Sequence, residues 1–280
     1  MNKNLSRYFP VFVLPTLCAF AVAFVIPFVM GLYLSFCSFT TVGNAQFTGL
    51  SNYARIFSNR DFVNALWFTV KFTTVSVITV NVFAFCLAML LTRGIRGTNA
   101  FRTIFFMPNL IGGIVLGYIW NLIINSILAN FGVDITYKPE YGFWGLVILT
   151  NWQLIGYMMV IYIAGLQNIP RELKEAAQID GATASQVLFR ITVPLVMPSV
   201  TICAFLTLTN SFKLFDQNLA LTAGAPARQT SMLALDIYNT FYGRTGWQGV
   251  GQAKAVIFFL IVALIAFAQL KITGSKEERA

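Results

Sequence analysis

Six stretches of the chain, at 11–36, 67–91, 104–125, 145–165, 193–210 and 253–270, run for 18 to 26 residues each with almost no charge. A helix needs ~20 apolar residues to cross a ~30 Å hydrocarbon core, so each stretch has the length of a membrane span. Strands crossing a membrane would alternate apolar and polar positions over ~10 residues, and these runs are apolar throughout, so they read as helices. The remaining composition agrees. Charged residues make up 10% of the 280 residues and hydrophobic ones 57%, whereas a soluble domain is roughly a quarter charged. The fold class expected is all-α and integral to a membrane, with six transmembrane helices. The first run is longer than a signal-peptide core and keeps Pro27 and Gly31 inside it, so it is expected to be retained.

Basic residues give the orientation. Six spans put both termini on one side, and that side would carry Lys3, Arg7, Arg93, Arg96, Arg102, Arg171, Lys174, Arg190, Lys271, Lys276 and Arg279. The opposite loops are longer yet hold only Arg55, Arg60, Lys138, Lys213, Arg228 and Arg244, with Lys71 and Lys254 at span edges. Both ends are therefore expected in the cytoplasm. The net charge of +9 is spread over span ends and forms no basic patch interleaved with aromatics, so no nucleic-acid partner is expected. Cys18, Cys37, Cys86 and Cys203 lie in or beside spans without CxxC spacing, which indicates neither a metal site nor a disulfide framework.

One inner segment departs from this apolar pattern. At 167–194 the chain carries both signs of charge, punctuated by Pro170, Gly181 and Pro194. Asn168 and Pro170 suit the start of a helix and Gly181 its stop. At ~100° per residue Leu173, Ala176 and Ala177 share one face, and Arg171, Glu175 and Gln178 share another. A second amphipathic piece with Val187, Leu188 and Ile191 follows before the fifth span. A helix this short is marginal alone. Glu172, Glu175 and Asp180 disfavour an anionic lipid surface and favour a protein one.

Glu175-Ala176-Ala177, Asp180-Gly181-Ala182, Phe189, Ile191, Pro194 and Pro198 resemble the EAA motif of permease subunits of bacterial binding-protein-dependent ABC importers, between the fourth and fifth of six spans. FVLP at 12–15, GLSNYARIF at 49–57, FRTIFFMPN at 101–109, AGLQNIP at 164–170 and SFKLFDQNLALTAGAP at 211–226 are similar to the carbohydrate branch, of the larger maltose-permease type. Two departures stand out: Ala223 and Ala225 occupy positions where the family often has glycine, and the large inserted domain after the third span of the maltose protein is missing.

The resemblance implies a transmembrane subunit of an ATP-driven importer for a sugar or oligosaccharide in the bacterial cytoplasmic membrane. Glu175, Ala176, Ala177, Asp180 and Gly181 would seat the EAA helix in a groove of a cytoplasmic ATPase. Its implied partners are a second permease subunit, two copies of that ATPase, an extracytoplasmic solute-binding protein and the lipid bilayer. The chain has no GxxxxGK[ST] loop, so ATP is expected on the partner and no cofactor on this chain. The expected division is 1–66, a first span with an outer loop; 67–272, a five-helix core with the EAA loop at 167–194; and a cytoplasmic tail at 273–280.

Polar groups within spans usually face a bundle interior or a wet cavity. Asn151, Trp152, Gln153 and Tyr157 in the fourth span, with Asn210, Ser211, Phe212 and Lys213 around the outer end of the fifth, are the candidate pathway residues, since sugars are held by hydrogen bonds and by stacking on rings. Each also fits a structural role, bonding a neighbouring helix. Gly113 and Gly117 are expected to permit helix packing, Lys71 to reach the outer interface, and the polar stripe from Thr69 to Asn81 to serve packing or the pathway. An importer of another solute, such as glycerol phosphate or a polyamine, is the alternative. A secondary transporter is disfavoured because no span holds an acid suited to ion coupling. An enzyme is not expected: the chain has no His, clustered carboxylates or nucleophile motif.

Overall fold

The structure, a computed structural model, describes residues 3–277 and is overwhelmingly helical. In chain order its elements are α1 (Lys3–Phe20), a π turn (Ala21–Val25), α2 (Ile26–Leu34), β1 (Cys37–Ser38), a short 3-10 turn (Val42–Asn44), β2 (Gln46–Phe47), α3 (Ser51–Phe57), α4 (Arg60–Leu91), α5 (Thr98–Phe106), a second 3-10 turn (Met107–Leu110), α6 (Gly113–Ala129), α7 (Pro139–Gln167), α8 (Arg171–Ile179), α9 (Ala184–Val187), a second π turn (Leu188–Thr192), α10 (Val193–Leu195), α11 (Met197–Phe212), α12 (Asp216–Leu221), α13 (Leu233–Gly243) and α14 (Gln248–Glu277). Helix α14 runs through most of the segment expected as a tail; residues 278–280, including Arg279, lie outside the described residues.

Among the described residues four helical stretches have the length and apolarity of a span: Val11–Leu34, Arg60–Leu91, Pro139–Gln167 and Gln248–Gln269. The other two expected spans are each broken. Thr98–Leu110 and Gly113–Ala129 meet at 101°, and Ala184–Leu195 and Met197–Phe212 meet at 68°. Proline explains both breaks: Pro108 lies in the 3-10 turn before the first, and Pro194 and Pro198 flank the second, removing N–H donors from the helical ladder. The first break is also held from outside, because a Cβ on Gly156 of α7 would fall on the carbonyl of Phe105 at the end of α5.

Packing divides the chain into two compact units, one running through Arg60 and joined by Ile237–Leu260, the other Asp61–Asp236 and the chain from Ile261. In the first, Val11–Leu34 has no buried residue. Beyond it a two-residue antiparallel hairpin pairs Cys37 with Phe47 and Ser38 with Gln46. Asn52 of α3, 2% exposed, donates to the carbonyls of Ser35 and Cys37 at 2.9 Å each and so fixes this loop. Lys254, expected at a span edge, is fully buried, its Nζ donating to Thr240 Oγ1 at 2.8 Å.

The second unit carries two apolar clusters. One joins Val80, Ala84 and Ala88 of α4 to Met158, Met159 and Tyr162 of α7 and Cys203 of α11; the other joins Phe68 and Phe72 of α4 to Phe143 and Leu146 of α7, Leu221 of α12 and Met232. Three members of the polar stripe on α4 bond to other elements of this unit. Asn81 bridges Tyr162 at 2.8 Å and Thr207 at 3.3 Å, Thr79 accepts from Asn151, and Thr69 accepts from the Leu233 N–H. Lys71 stands 4.8 Å from the centroid of the Phe143 ring.

Candidate substrate cavity and coupling helix

The α6 helix sets up the cavity from a distance. Gly113, Gly117, Asn121 and Asn125 recur every four residues and form one stripe. A Cβ on Gly113 would come within 2.7 Å of Asp216 Cβ, and one on Gly117 within 2.6 Å of Ala220 Cβ, so only hydrogen at these positions lets α12 lie against α6. Asn121 completes the seat by donating to the Leu221 carbonyl at 2.7 Å.

From that seat α12 faces α7 across a cavity of about 300 Å³, near the lower bound for small-molecule sites. Its walls are Thr150, Gln153 and Leu154 of α7, Asn210 of α11, Lys213 to Phe215 in the connection, Asp216 and Gln217 of α12, and Asn109 beside the first helix break. Gln217 Nε2 donates to Gln153 Oε1 at 2.8 Å across it. Thr150 Oγ1 is buried and has no hydrogen-bond partner, leaving an unused hydroxyl in the wall. One cation, Lys213, and one anion, Asp216, line the site.

Of the candidate pathway residues, the cavity brings together Gln153, Asn210 and Lys213. The others lie elsewhere; residues two apart on a helix point ~200° apart, which turns Asn151 away from the wall that Gln153 faces. Asn151 is 9% exposed and donates to Thr79 Oγ1 at 2.9 Å and the Val147 carbonyl at 2.8 Å. Trp152 is 44% exposed and meets Trp120 edge-on at 5.7 Å. Tyr157 shares the face of Gln153 one turn further along and packs on Phe106 at 6.3 Å. Ser211 and Phe212 are buried. Sequence reasoning missed Thr150, Asp216 and Gln217. The i, i+3 spacing of Thr150 and Gln153 was the available signal, whereas nothing local marks α12.

Behind the cavity, the loop from Thr222 to Ser231 is organised by one side chain. Asn218, fully buried, donates to Thr222 Oγ1 at 3.0 Å and to the Thr230 carbonyl at 2.8 Å, and accepts from the Met232 N–H at 2.9 Å. Within this loop Ala223 adopts φ 50°, a left-handed conformation that an L side chain resists.

The coupling candidates sit on α8, which begins one residue beyond Pro170; Asn168 instead ends α7. Glu175, Ala176, Asp180 and Gly181 are exposed and Ala177 half-buried. Gly181 has φ 79°, the Ala182 N–H reaches the Ala177 carbonyl at 2.9 Å, and the Gly181 N–H reaches that of Gln178 at 3.1 Å. That pair of bonds is a Schellman stop, for which glycine is the least strained residue. Beyond it Thr183 and Gln186 cap α9 reciprocally. Leu173 and Ile179 of α8 and Phe189 in the π turn after α9 are 46%, 86% and 66% exposed, leaving this segment with an uncovered apolar surface.

Comparison with known proteins bears on the family and the fold. A permease of Thermoanaerobacterium thermosulfurigenes, the probable starch degradation products transport system permease protein AmyD, is 44% identical over 275 residues, covering 95% of this chain and 94% of its own. The trehalose/maltose transport system permease protein MalF of Thermococcus litoralis is 30% identical, covering 93% and 91%. A chain from the crystal structure of a bacterial ABC transporter involved in the import of the acidic polysaccharide alginate superposes with a TM-score of 0.82 at 19% identity, over 98% of both chains, and so shares the fold. The model of the binding-protein-dependent transport system inner membrane component family matches residues 81–273, well over half of the sequence, and the chain belongs to that family.

Proposed function

We propose that this chain is one of two permease subunits of an ATP-driven importer and that its solute is a sugar or oligosaccharide. The observation that carries the solute assignment is the cavity between α7, α11 and α12: Gln153, Asn210, Gln217 and the unpartnered Thr150 hydroxyl offer donors and acceptors to hydroxyl groups. Lys213 and Asp216 leave the lining without excess charge, which fits a neutral solute better than a phosphate ester. The starch-product and trehalose/maltose relatives support the same class.

In this reading each broken helix pair counts as one span, giving six, with both termini in the cytoplasm as the Lys and Arg distribution indicates. The α8–α9 unit then lies on the cytoplasmic face. Glu175, Ala176, Ala177, Asp180 and Gly181 meet an ATPase there, the alanines allowing close approach and Glu175 supplying a charge-assisted hydrogen bond. Two ATPase copies, a second permease and an extracytoplasmic solute-binding protein complete the assembly. ATP acts on the ATPase subunits; closing them draws the coupling helices together and turns the cavity from one side of the membrane to the other.

Reconstitution tests this. Liposomes containing this chain, its partner permease and the ATPase should accumulate labelled oligosaccharide only with ATP inside and solute-binding protein outside. Transport by this chain alone, or transport unaffected by ATP, would refute the assignment.

A further inference from the structure

A pocket of about 200 Å³, separate from the cavity above, lies between α4 and α7 within the second unit. Phe68 and Lys71 of α4 line it with Glu140, Phe143 and Trp144 of α7. Phe143 meets Phe68 edge-on at 5.8 Å and Trp144 edge-on at 5.3 Å, so three rings form one wall. The Lys71 ammonium rests against that wall, 4.8 Å from the centre of Phe143. Neither it nor the Glu140 carboxylate enters an ion pair or hydrogen bond among the described residues. One cation and one anion therefore line the same pocket without neutralising each other.

The pocket stands where hydrocarbon gives way to headgroups. Both helices have the length of a span and, in the six-span orientation, run inward from the outer side. Trp67 on α4 and Tyr137 and Trp144 around the start of α7 are exposed, as aromatic residues at a membrane interface are. Lys71 lies one turn inward of Trp67, about 6 Å at 1.5 Å per residue, and Glu140 is in the first turn of α7. A charge at that depth is costly to leave facing hydrocarbon, and the headgroup layer is the nearest supply of counter-charge.

Charge and size narrow the occupant. A lipid phosphate suits Lys71, but a headgroup with no cation of its own would set its phosphate near Glu140 and be repelled. A zwitterion satisfies both groups. A primary ammonium donates N–H bonds to the Glu140 carboxylate and rests on the exposed Trp144 ring, whereas a trimethylammonium has no N–H to donate. The volume lies below the ~300 Å³ at which small-molecule sites begin, so the pocket takes a headgroup and leaves the acyl chains in the bilayer.

We propose that this pocket is a specific site for an outer-leaflet phospholipid whose headgroup joins a phosphate to a primary ammonium, of the phosphatidylethanolamine kind. Lys71 holds the phosphate, Glu140 and Trp144 hold the ammonium, and the bound lipid ties the outer end of α4 to that of α7. The inference goes beyond the transport assignment and needs only that both helices span the membrane.

The test uses the assembled transporter in detergent, with bound lipid counted by native mass spectrometry during titration with dioleoyl phosphatidylethanolamine, phosphatidylglycerol or phosphatidylcholine. Wild type should bind one phosphatidylethanolamine about fivefold more tightly than either other lipid. Glu140→Gln should erase the preference over phosphatidylcholine, and Lys71→Gln should weaken the first bound phosphatidylethanolamine about fivefold. Arg55→Gln, at a basic residue of the other unit, should change neither by more than about twofold. If Lys71→Gln does not assemble, Glu140→Gln, at an exposed position, decides the matter by itself. Equal binding of the three lipids by wild type overturns the proposal, as does a preference that survives Glu140→Gln. Tightest binding of phosphatidylglycerol also overturns it and assigns Lys71 to anionic lipid. A thermal midpoint raised as much by inorganic phosphate as by phosphatidylethanolamine overturns it in favour of a free anion.

Discussion

Replacing Asn218 by Ala removes three hydrogen bonds from a fully buried side chain and takes the anchor from the loop behind the cavity. The Thr230 carbonyl and the Met232 N–H belong to residues that are themselves fully buried, so water does not replace the lost partner. An unsatisfied buried group costs about 1–3 kcal/mol, which for these two places the loss at roughly 4 kcal/mol. At about 2 °C per kcal/mol for a chain of this size, the thermal midpoint of the detergent-solubilised complex should fall by about 8 °C. Asn218→Asp is expected to do no better, since its carboxylate cannot donate to the Thr230 carbonyl and places a charge in the interior. Uptake per assembled complex should fall as well, because Gln217 is the residue before Asn218 and bonds to Gln153 across the cavity. A shift below about 2 °C for Asn218→Ala would show that the loop is held by something other than this side chain.

Gln153→Leu and Asn210→Leu should lower uptake per assembled complex at least tenfold with the amount of complex unchanged, whereas Asn151→Leu should lower the amount of complex, since Asn151 bonds Thr79 outside the cavity; quantitative immunoblotting alongside uptake separates the two. Glu175→Lys and Gly181→Pro should abolish substrate-stimulated ATPase activity while the subunit remains in the membrane, the second because proline cannot adopt φ 79°. Ala223→Gly should raise the thermal midpoint by about 2 °C, roughly 1 kcal/mol of relieved left-handed strain, read by the same melting assay.

Continuous apolar runs are legible in the sequence because hydrocarbon admits little else over the length of a helix. The breaks are harder to read: both halves of a bent span remain apolar, and Pro108 or Pro194 alone does not say whether a helix kinks slightly or turns through 101° or 68°. Gly181 is legible as a stop because few residues take its conformation easily. The cavity is half legible. Gln153 within a span, and Asn210 and Lys213 at the end of one, stand out as polar groups, but their separation from Asn151, Ser211 and Phe212 requires following the helical face. Six-residue α12, in a glycine-rich connection, exists through its tertiary contact with α6. The Gly113–Gly117 spacing announces that something docks there without saying what.

The seating of α12 on α6 divides the cavity between two mechanical owners. Although α12 follows α11 along the chain, the missing side chains at Gly113 and Gly117 and the bond from Asn121 tie it to α6, while Gln153 rides on α7. A tilt of α6 against α7 therefore loads the 2.8 Å bridge between Gln217 and Gln153. The pair acts as a latch whose opening can be timed: a cysteine pair at 153 and 217 should cross-link in one half of the transport cycle and not in the other.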